Sequence, residues 1–286
     1  MKKTLSKSSP FRDLLQNLTP TAIICLLILI SLIVLAMLAP WVSPYQPTKI
    51  LTNESYQLIS DSMLLGGDYL GRDMVSRLIY GLKITLGVTF VVTVLAFSIG
   101  CLLGFLAAVL GGKIDMVISR VVDALIALPA IMIALIVIAS LGSSLPVLII
   151  TLALIDSTRV FRVARALAMN IVVLDFVEAA RVRGEGLKWI MWREVMPNAL
   201  APLAAEFGIR FTYTILFISA LGFLGLGMQP PFADLGSLIR ENMQGLLFGS
   251  YAPLYPALLI SLMTITINIF VDWYLQQLDT ALPSEF

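Results

Sequence analysis

The sequence has no histidine, only two cysteines and few charged residues. Without imidazole groups, a zinc site of the H-E-x-x-H type, a histidine-based catalytic triad and a histidine proton relay are excluded. Cys25 and Cys101 lie within apolar stretches, so we interpret them as packing residues rather than as a disulfide or metal pair. Charged residues make up 13% of the 286 residues, whereas about 25% is usual in soluble domains. A soluble globular protein is therefore not expected.

A phosphate-binding P-loop is also missing. The segment Gly111-Gly112-Lys113 comes nearest, but Ala107 stands where that motif needs glycine and Ile114 where it needs serine or threonine. The net charge is +1 and the basic residues are dispersed, so no nucleic-acid-binding surface is indicated. The sequence predicts no ATPase activity, no cofactor and no nucleic-acid partner for this chain.

Long apolar segments dominate what is present, since 59% of the residues are hydrophobic and the mean hydropathy is +0.95. Residues 21–42 are uncharged and would form about 33 Å of helix, enough to cross a bilayer once. A cleaved signal peptide is the alternative, but its apolar core would hold only about 7 to 15 residues. We therefore predict an all-α, polytopic membrane protein with six transmembrane helices, at 21–42, 84–110, 117–141, 146–167, 199–226 and 253–275.

The distribution of lysine and arginine predicts how these helices are oriented. Thirteen of them fall in segments expected to be cytoplasmic, five in segments expected to be external, and this excess places both termini in the cytoplasm. The predicted divisions are a cytoplasmic tail at 1–20, a first transmembrane helix at 21–42, an external segment at 43–83, a five-helix core at 84–276 with a cytoplasmic loop at about 170–198, and a cytoplasmic tail at 277–286.

Residues 175–202 form a charged island between two apolar segments. Asp175 is a candidate N-cap for a short helix over 176–183, which Gly184 would end. A second short helix is predicted from Leu187, with an apolar face at helical spacing and an end at Pro197.

Two interpretations of this island stay open from the residues alone. Its apolar ridge and flanking charges suit a knob that docks into a groove of a soluble partner. An amphipathic helix lying in the lipid headgroup layer has the same pattern.

The spacing within the island resembles a known family. Glu178-Ala179-Ala180, then Gly184 and then Pro197, resemble the EAA loop of permeases from ATP-binding-cassette (ABC) importers. Glu194 and Met196 stand where that motif usually has isoleucine and leucine. The resemblance implies that this loop, which includes Leu187 and Ile190, couples the chain to an ATPase.

Two further segments resemble the dipeptide, oligopeptide and nickel branch of the same permeases. The first, LGGDYLGRDMVSRLIYG, covers Leu65–Gly81, and from spacing alone Arg72, Asp73 and Arg77 could pair along a helix. The second, LGFLGLGMQPPFADLGSLI, covers 221–239, and its glycines and prolines predict an external turn.

Several residues inside the predicted spans are candidates for function. Glu206 and Arg210 lie four residues apart and can neutralise each other, so we hypothesise that their face lines a translocation pathway or a subunit seam. Pro129 predicts a kink, which is either a gating hinge or a static bend. Gly100 and Gly104 suit close helix packing.

Arg159, Arg162 and Arg165 recur at three-residue spacing near the end of the fourth predicted span. They can extend toward cytoplasmic headgroups, or they can contact a partner subunit.

The resemblance implies a permease subunit of an ATP-driven, binding-protein-dependent importer in the bacterial cytoplasmic membrane, for peptides or related solutes, alternatively nickel or metal-chelator complexes. The implied partners are a homologous second permease, two cytoplasmic ABC ATPases, an external substrate-binding protein and the lipid bilayer. A gradient-driven transporter using Asp123, Asp156 and Glu206 is the main alternative, and an intramembrane enzyme is a third.

Overall fold

The computed structural model describes residues 18–281 of the chain. Most of the tail expected at 1–20, and the end of the tail expected at 277–286, lie outside the described residues. Within them the regular structure is helical, which confirms the all-α prediction, and only isolated bridges occur in the segment that precedes residue 74. The helices are α1 (Pro20–Met37), α2 (Ala39–Val42), α3 (Met74–Leu110), α4 (Gly112–Ile126), α5 (Ala130–Leu141), α6 (Leu145–Val172), α7 (Asp175–Val182), α8 (Leu187–Phe223), α9 (Leu235–Asn242) and α10 (Leu254–Ala281).

Helix α3 begins earlier than the sequence predicted. It has 37 residues, or about 55 Å at 1.5 Å per residue, well beyond the ~30 Å of a bilayer core. The irregular part of the segment expected to be external up to Lys83 ends at Asp73, where α3 begins. The helix expected around Arg77 is continuous with the second predicted span, and Arg77 within it is only 3% exposed and paired with acidic side chains.

The predicted third span is two helices rather than one kinked helix. The axes of α4 and α5 meet at 83°. Pro129 occupies the N-cap position of α5, where its carbonyl accepts hydrogen bonds from the amides of Met132 (2.9 Å) and Ile133 (3.2 Å). A proline has no amide hydrogen to continue α4, so the chain starts a new helix in another direction.

Helices α3 and α6 pack closely through two glycines. A Cβ atom on Gly100 would lie 2.6 Å from Cβ of Val160, and one on Gly104 would lie 2.9 Å from the backbone nitrogen of Arg165. Only a hydrogen fits in either place, which confirms the predicted role of these glycines in helix packing.

Helix α8 contradicts the expected helix end at Pro197. The helix continues from Leu187 to Phe223, with a π-helical segment at Ile190–Val195 directly before the proline. Pro197 then lies in the first turn of the following α-helical part. The wider π-helical turn leaves room for the ring, and the first turn of a helix does not need its missing amide hydrogen.

Apart from a cluster that α7 shares with α3, α6 and α8, buried apolar side chains form two main layers between these helices. Outward-facing apolar side chains such as Leu27, Ile136 and Leu258 are exposed, as a lipid environment allows. One buried layer includes Val92, Ile138, Leu152 and Ile218, and the other includes Leu32, Leu82, Ile215, Leu238 and Met263.

Length and composition make α1, α3, α8 and α10 candidate membrane spans, and α4 with α5 a fifth if the bent pair crosses once. Helix α6 is long enough at 28 residues, but its first 18 residues contain Asp156, Arg159 and Arg162. The six-span count therefore stays a prediction, which depends on how these charges are paired.

A pair of alanine substitutions tests the α3–α6 contact. Gly100→Ala should lower the free energy of unfolding by about 1–3 kcal/mol, because the contact is already filled. Gly87→Ala on the same helix adds a methyl group where no atom lies within 4 Å, so it should be neutral or stabilise by up to ~1 kcal/mol through helix propensity. Thermal unfolding of the two variants in detergent measures this, and equal shifts would contradict the packing described here.

Candidate functional site

The loop between α6 and α8 is built around helix α7. Its N-cap is Leu174, so the expectation that Asp175 caps the helix is wrong, and Asp175 is instead the first helical residue. The carboxylate still lies at the positive end of the helix dipole. Helix α7 closes the expected way: Gly184 has φ of +84°, its amide donates to Arg181 O (2.9 Å), and the amide of Glu185 donates to Ala180 O (3.2 Å). These two bonds define a Schellman motif, which favours glycine at this position.

One face of α7 is buried against the start of α8. Val177 and Ala180 are fully buried, and Val177 lies in one apolar cluster with Ile190, Met191 and Val195. The second Ala of the Glu-Ala-Ala sequence, Ala180, is fully buried, so a larger side chain there would displace its neighbours.

The other face of α7 is open. Glu178 and Ala179 are exposed, and the Glu178 carboxylate has no ion pair within residues 18–281. Apolar side chains lie beside them, with Phe176 40% and Val182 82% exposed. An exposed face that mixes a free carboxylate with large apolar groups is typical of an interaction surface.

One contact joins the end of α7 to the first residues of α8. The Arg183 guanidinium lies 4.0 Å from the Glu194 carboxylate and 5.7 Å from the centre of the Trp189 ring. Of the predicted coupling residues, Ala180 and Ile190 are thus buried, Leu187 is half-buried, and Glu178, Ala179, Gly184 and Pro197 are exposed.

The first segment that resembles the peptide and nickel branch forms an ion cluster at the start of α3 with Glu241, which lies two residues beyond the second segment. The expected pairing of Arg72 and Arg77 with Asp73 is wrong. Arg72 Nε lies 2.6 Å from Asp68 Oδ2, and Arg77 Nη2 lies 2.5 Å from Glu241 Oε2. Glu241 belongs to α9, more than 160 residues further along the chain, so spacing could not have revealed this partner.

Asp73 caps α3 instead of pairing with an arginine. Its Oδ2 accepts hydrogen bonds from the amide (2.8 Å) and the hydroxyl (2.6 Å) of Ser76. A carboxylate in this position satisfies amides that have no partner at a helix start.

Asp234 caps α9 in the same manner and explains nearby glycines. It accepts hydrogen bonds from the amide (2.9 Å) and hydroxyl (2.7 Å) of Ser237. A Cβ atom on Gly222 or Gly227 would lie 2.2 Å or 2.4 Å from the Asp234 carboxylate oxygens. Sequence reasoning missed this role, although an aspartate three residues before a serine at a helix start is a recognisable capping signal.

A second polar cluster lies between α6 and α8. Glu206 and Arg210 form the expected ion pair, with 2.6 Å between Oε1 and Nε. One turn further along α8, the Thr214 hydroxyl donates to Asp156 Oδ2 on α6 at 2.9 Å. Asp156 is fully buried, and Arg159 Nη1 lies 3.6 Å from its other oxygen.

The three arginines of α6 each face an acidic side chain. Arg162 lies 3.2 Å from Asp123, and Arg165 binds Asp115 through both carboxylate oxygens. Both acids belong to α4. These contacts within the chain were not anticipated, since the sequence offered only lipid headgroups or a partner subunit.

The fold is that of a multi-pass membrane transport subunit. It combines long apolar helices, charges paired within the chain and a short helix, α7, with one exposed face. Residues 100–282 match the family model described as binding-protein-dependent transport system inner membrane component, and the chain belongs to this family. Residues 9–60 match the model described as the N-terminal TM domain of oligopeptide transport permease C.

Curated relatives align along nearly the whole chain. The dipeptide transport system permease protein DppC of Haemophilus influenzae is 30% identical over 267 residues, covering 91% of this chain and 90% of the relative. The di/tripeptide transport system permease protein DppC of Pseudomonas aeruginosa is 33% identical over 284 residues, covering 96% and 94%. DppC of Escherichia coli K12 is 34% identical over 267 residues, covering 91% and 89%.

A solved structure supports the fold. The crystal structure of an amino acid ABC transporter with histidines superposes with a TM-score of 0.50 at 23% sequence identity, covering 69% of this chain and 92% of that chain. At this identity the likeness concerns the fold alone.

The ion cluster at the start of α3 predicts a strong stability effect. Arg77→Met leaves Glu241 and Asp68 without a full set of partners, and breaking a buried pair typically costs about 3–5 kcal/mol. Arg162→Met is the matched control, because that pair is more than half exposed and exposed pairs contribute about 0–1 kcal/mol. Chemical or thermal unfolding in detergent measures the difference, and similar losses for both variants would show that the cluster is not a stabilising element.

Proposed function

We propose that this chain is one of two permease subunits of an ATP-driven importer of dipeptides or short oligopeptides, and that it forms half of the translocation pathway. The observation that carries the proposal is the near full-length alignment with dipeptide and di/tripeptide permeases at 30–34% identity. Its partners are a homologous permease, two cytoplasmic ABC ATPases, and an external binding protein that delivers the peptide.

Helix α7 is the proposed contact with the ATPase. The exposed Glu178 carboxylate and the neighbouring apolar groups of Phe176 and Val182 suit a groove that supplies both a polar partner and an apolar floor. ATP hydrolysis then takes place on the partner, and this chain receives the motion through the apolar contacts between α7 and α8.

The proposed orientation places the α7–α8 loop in the cytoplasm and the segment 43–73 outside, with six crossings of the bacterial cytoplasmic membrane and both termini inside. Helix α6 serves as the fourth crossing. The pairing of Arg159, Arg162 and Arg165 with acids supports this, because it offsets the cost of charges at membrane depth.

The Glu206–Arg210 face is the proposed lining of the pathway or of the seam with the second permease. Both side chains are mostly buried, yet the Arg210 guanidinium stacks 5.2 Å from the ring of Tyr213, which is 53% exposed. Pro129 is the proposed hinge, since it separates α4 from α5.

A substitution of Arg210 tests the role of the Glu206–Arg210 face. Arg210→Ala should lower peptide uptake or complex assembly, measured by transport and by size-exclusion chromatography. A variant normal in both would refute the proposed role of this face.

Two glycines of the loop provide a matched test of coupling. Gly184 has φ of +84°, whereas Gly186 has φ of −77°, and neither would bring a Cβ atom within 4 Å of another group. Gly184→Val should therefore strain the turn by about 1–3 kcal/mol and uncouple ATP hydrolysis from uptake, while Gly186→Val should behave as wild type. Uptake per ATP hydrolysed distinguishes the variants, and equal coupling in both would contradict a role for the left-handed turn.

Peptide uptake in cells tests the function itself. A bacterial strain deleted for this chain should lose uptake of a radiolabelled dipeptide, and the wild-type chain should restore it. Restored uptake should fail on ATP depletion and withstand a protonophore while glycolysis maintains ATP. Uptake that follows the ion gradient would indicate a gradient-driven transporter, and restoration of nickel uptake without peptide uptake would overturn the substrate class.

A further inference from the structure

A cavity of about 300 Å³ lies between α5, α6 and α8. It opens where the chain turns by 83° after α4, so the first residues of α5 form one wall. This size suits a small solute. The lining includes Ala130, Ile131, Asp156, Arg159, Tyr213 and Phe217.

Arg159 differs from the other two arginines of α6 in its bonding. Arg162 and Arg165 both donate hydrogen bonds to carboxylates of α4. The Arg159 guanidinium lies 3.6 Å from Asp156, beyond hydrogen-bond distance, and donates no hydrogen bond to any side chain described between residues 18 and 278. Its side chain is 43% exposed, so its N–H groups are available to a ligand in the cavity.

The position of Arg159 makes these free donors costly. It is near the middle of the 28-residue helix α6, roughly 20 Å from either end at 1.5 Å per residue. In the proposed membrane crossing of α6, a guanidinium whose hydrogen bonds the protein does not satisfy requires water or an anion. Asp156 does not satisfy it, because the nearest Arg159 nitrogen lies 3.6 Å from the carboxylate and a guanidinium has five N–H groups to satisfy.

We propose that Arg159 binds the C-terminal carboxylate of the peptide during its passage through the permease, an inference that rests on the proposed peptide import. A guanidinium matches a carboxylate in a bidentate geometry. Every linear peptide carries this group whatever its side chains are, so one arginine serves substrates of different sequence. Tyr213, Leu216 and Phe217 provide an apolar wall for the remainder of the peptide.

Asp156 gives the site its second property. Because Asp156 lies beside Arg159, the two side chains together are nearly neutral, and Arg159 binds the carboxylate of the peptide more weakly than an isolated arginine would. A translocation site must bind well enough to admit the solute and weakly enough to release it. Arg159 and Asp156 together meet both requirements.

The test compares two dipeptides that differ only at the C-terminus, one with a free carboxylate and one with an amide. Their uptake is measured in proteoliposomes that contain the whole complex, each at a concentration that saturates the binding protein. Wild type should transport the free acid faster. Arg159→Gln should lower uptake of the acid by about tenfold or more, as the loss of a charged hydrogen bond typically does, and should leave uptake of the amide within about twofold. Arg159→Lys should retain part of the preference, and Arg162→Gln, outside the cavity, should retain all of it.

The other outcomes separate the two proposals. Equal loss of both peptides in Arg159→Gln, with or without loss of the second permease on size-exclusion chromatography, would make Arg159 a subunit contact or structural residue and overturn this inference. No change in either peptide, or equal transport of both by wild type, would overturn it as well. Wild-type complex that transports neither peptide, while its ATPase remains active, would instead refute peptide import.

Discussion

A charge within a membrane-spanning bundle needs a partner, and this requirement fixes how the helices of this chain lie against one another. Arg77 of α3 pairs with Glu241 of α9, and Arg165 of α6 pairs with Asp115 of α4. Each pair joins helices distant in sequence and sets their relative rotation, because both side chains must face each other. Removing one partner of a buried pair leaves the other charge unpaired, so these pairs disfavour rotations that would separate the two side chains.

The packing that results is uneven. Between α3 and α6, Gly100 and Gly104 bring the backbones close enough to exclude all but a hydrogen. Helix α4 is different, since Val122 is its one buried residue in the described chain and a cavity of about 530 Å³ separates α4 and α5 from α3 and α6. A tightly packed unit and a loosely packed bent pair are thus combined in one subunit. Loosely packed elements are those from which moving parts are generally drawn.

Local chemistry made part of this architecture predictable. The left-handed turn at Gly184, the tight contact at Gly100 and the Glu206–Arg210 pair all follow from residue type and short spacing. Contacts over long sequence distances did not follow, because no periodicity relates Arg72 or Arg77 to the Glu241 carboxylate in α9. The roles of the candidate site residues remain predictions, whereas the structure describes where they lie. The predicted coupling residues lie on α7 and the first part of α8, and the Glu206–Arg210 pair lies further along α8.

Proline was the least reliable signal, since its effect depends on the hydrogen bonds around it. Pro129 lies where no amide is needed to begin α5, and there it permits a sharp change of direction. Pro197 follows a π-helical segment, which accommodates its ring, and there the helix continues. Proline thus precedes a new helix at one position and lies within a continuous helix at the other.

The uninterrupted path of α8 has a geometric consequence. From Leu187 to Phe223 the helix has 37 residues, so it extends about 55 Å, and a tilt of only ~5° would displace one end by about 5 Å relative to the other. A break at Pro197 would have separated the part of α8 that packs on α7 from the rest of the helix. The continuous helix instead connects the contact with α7 at one end to the other end, where α8 meets the aspartate and glycines that hold the start of α9.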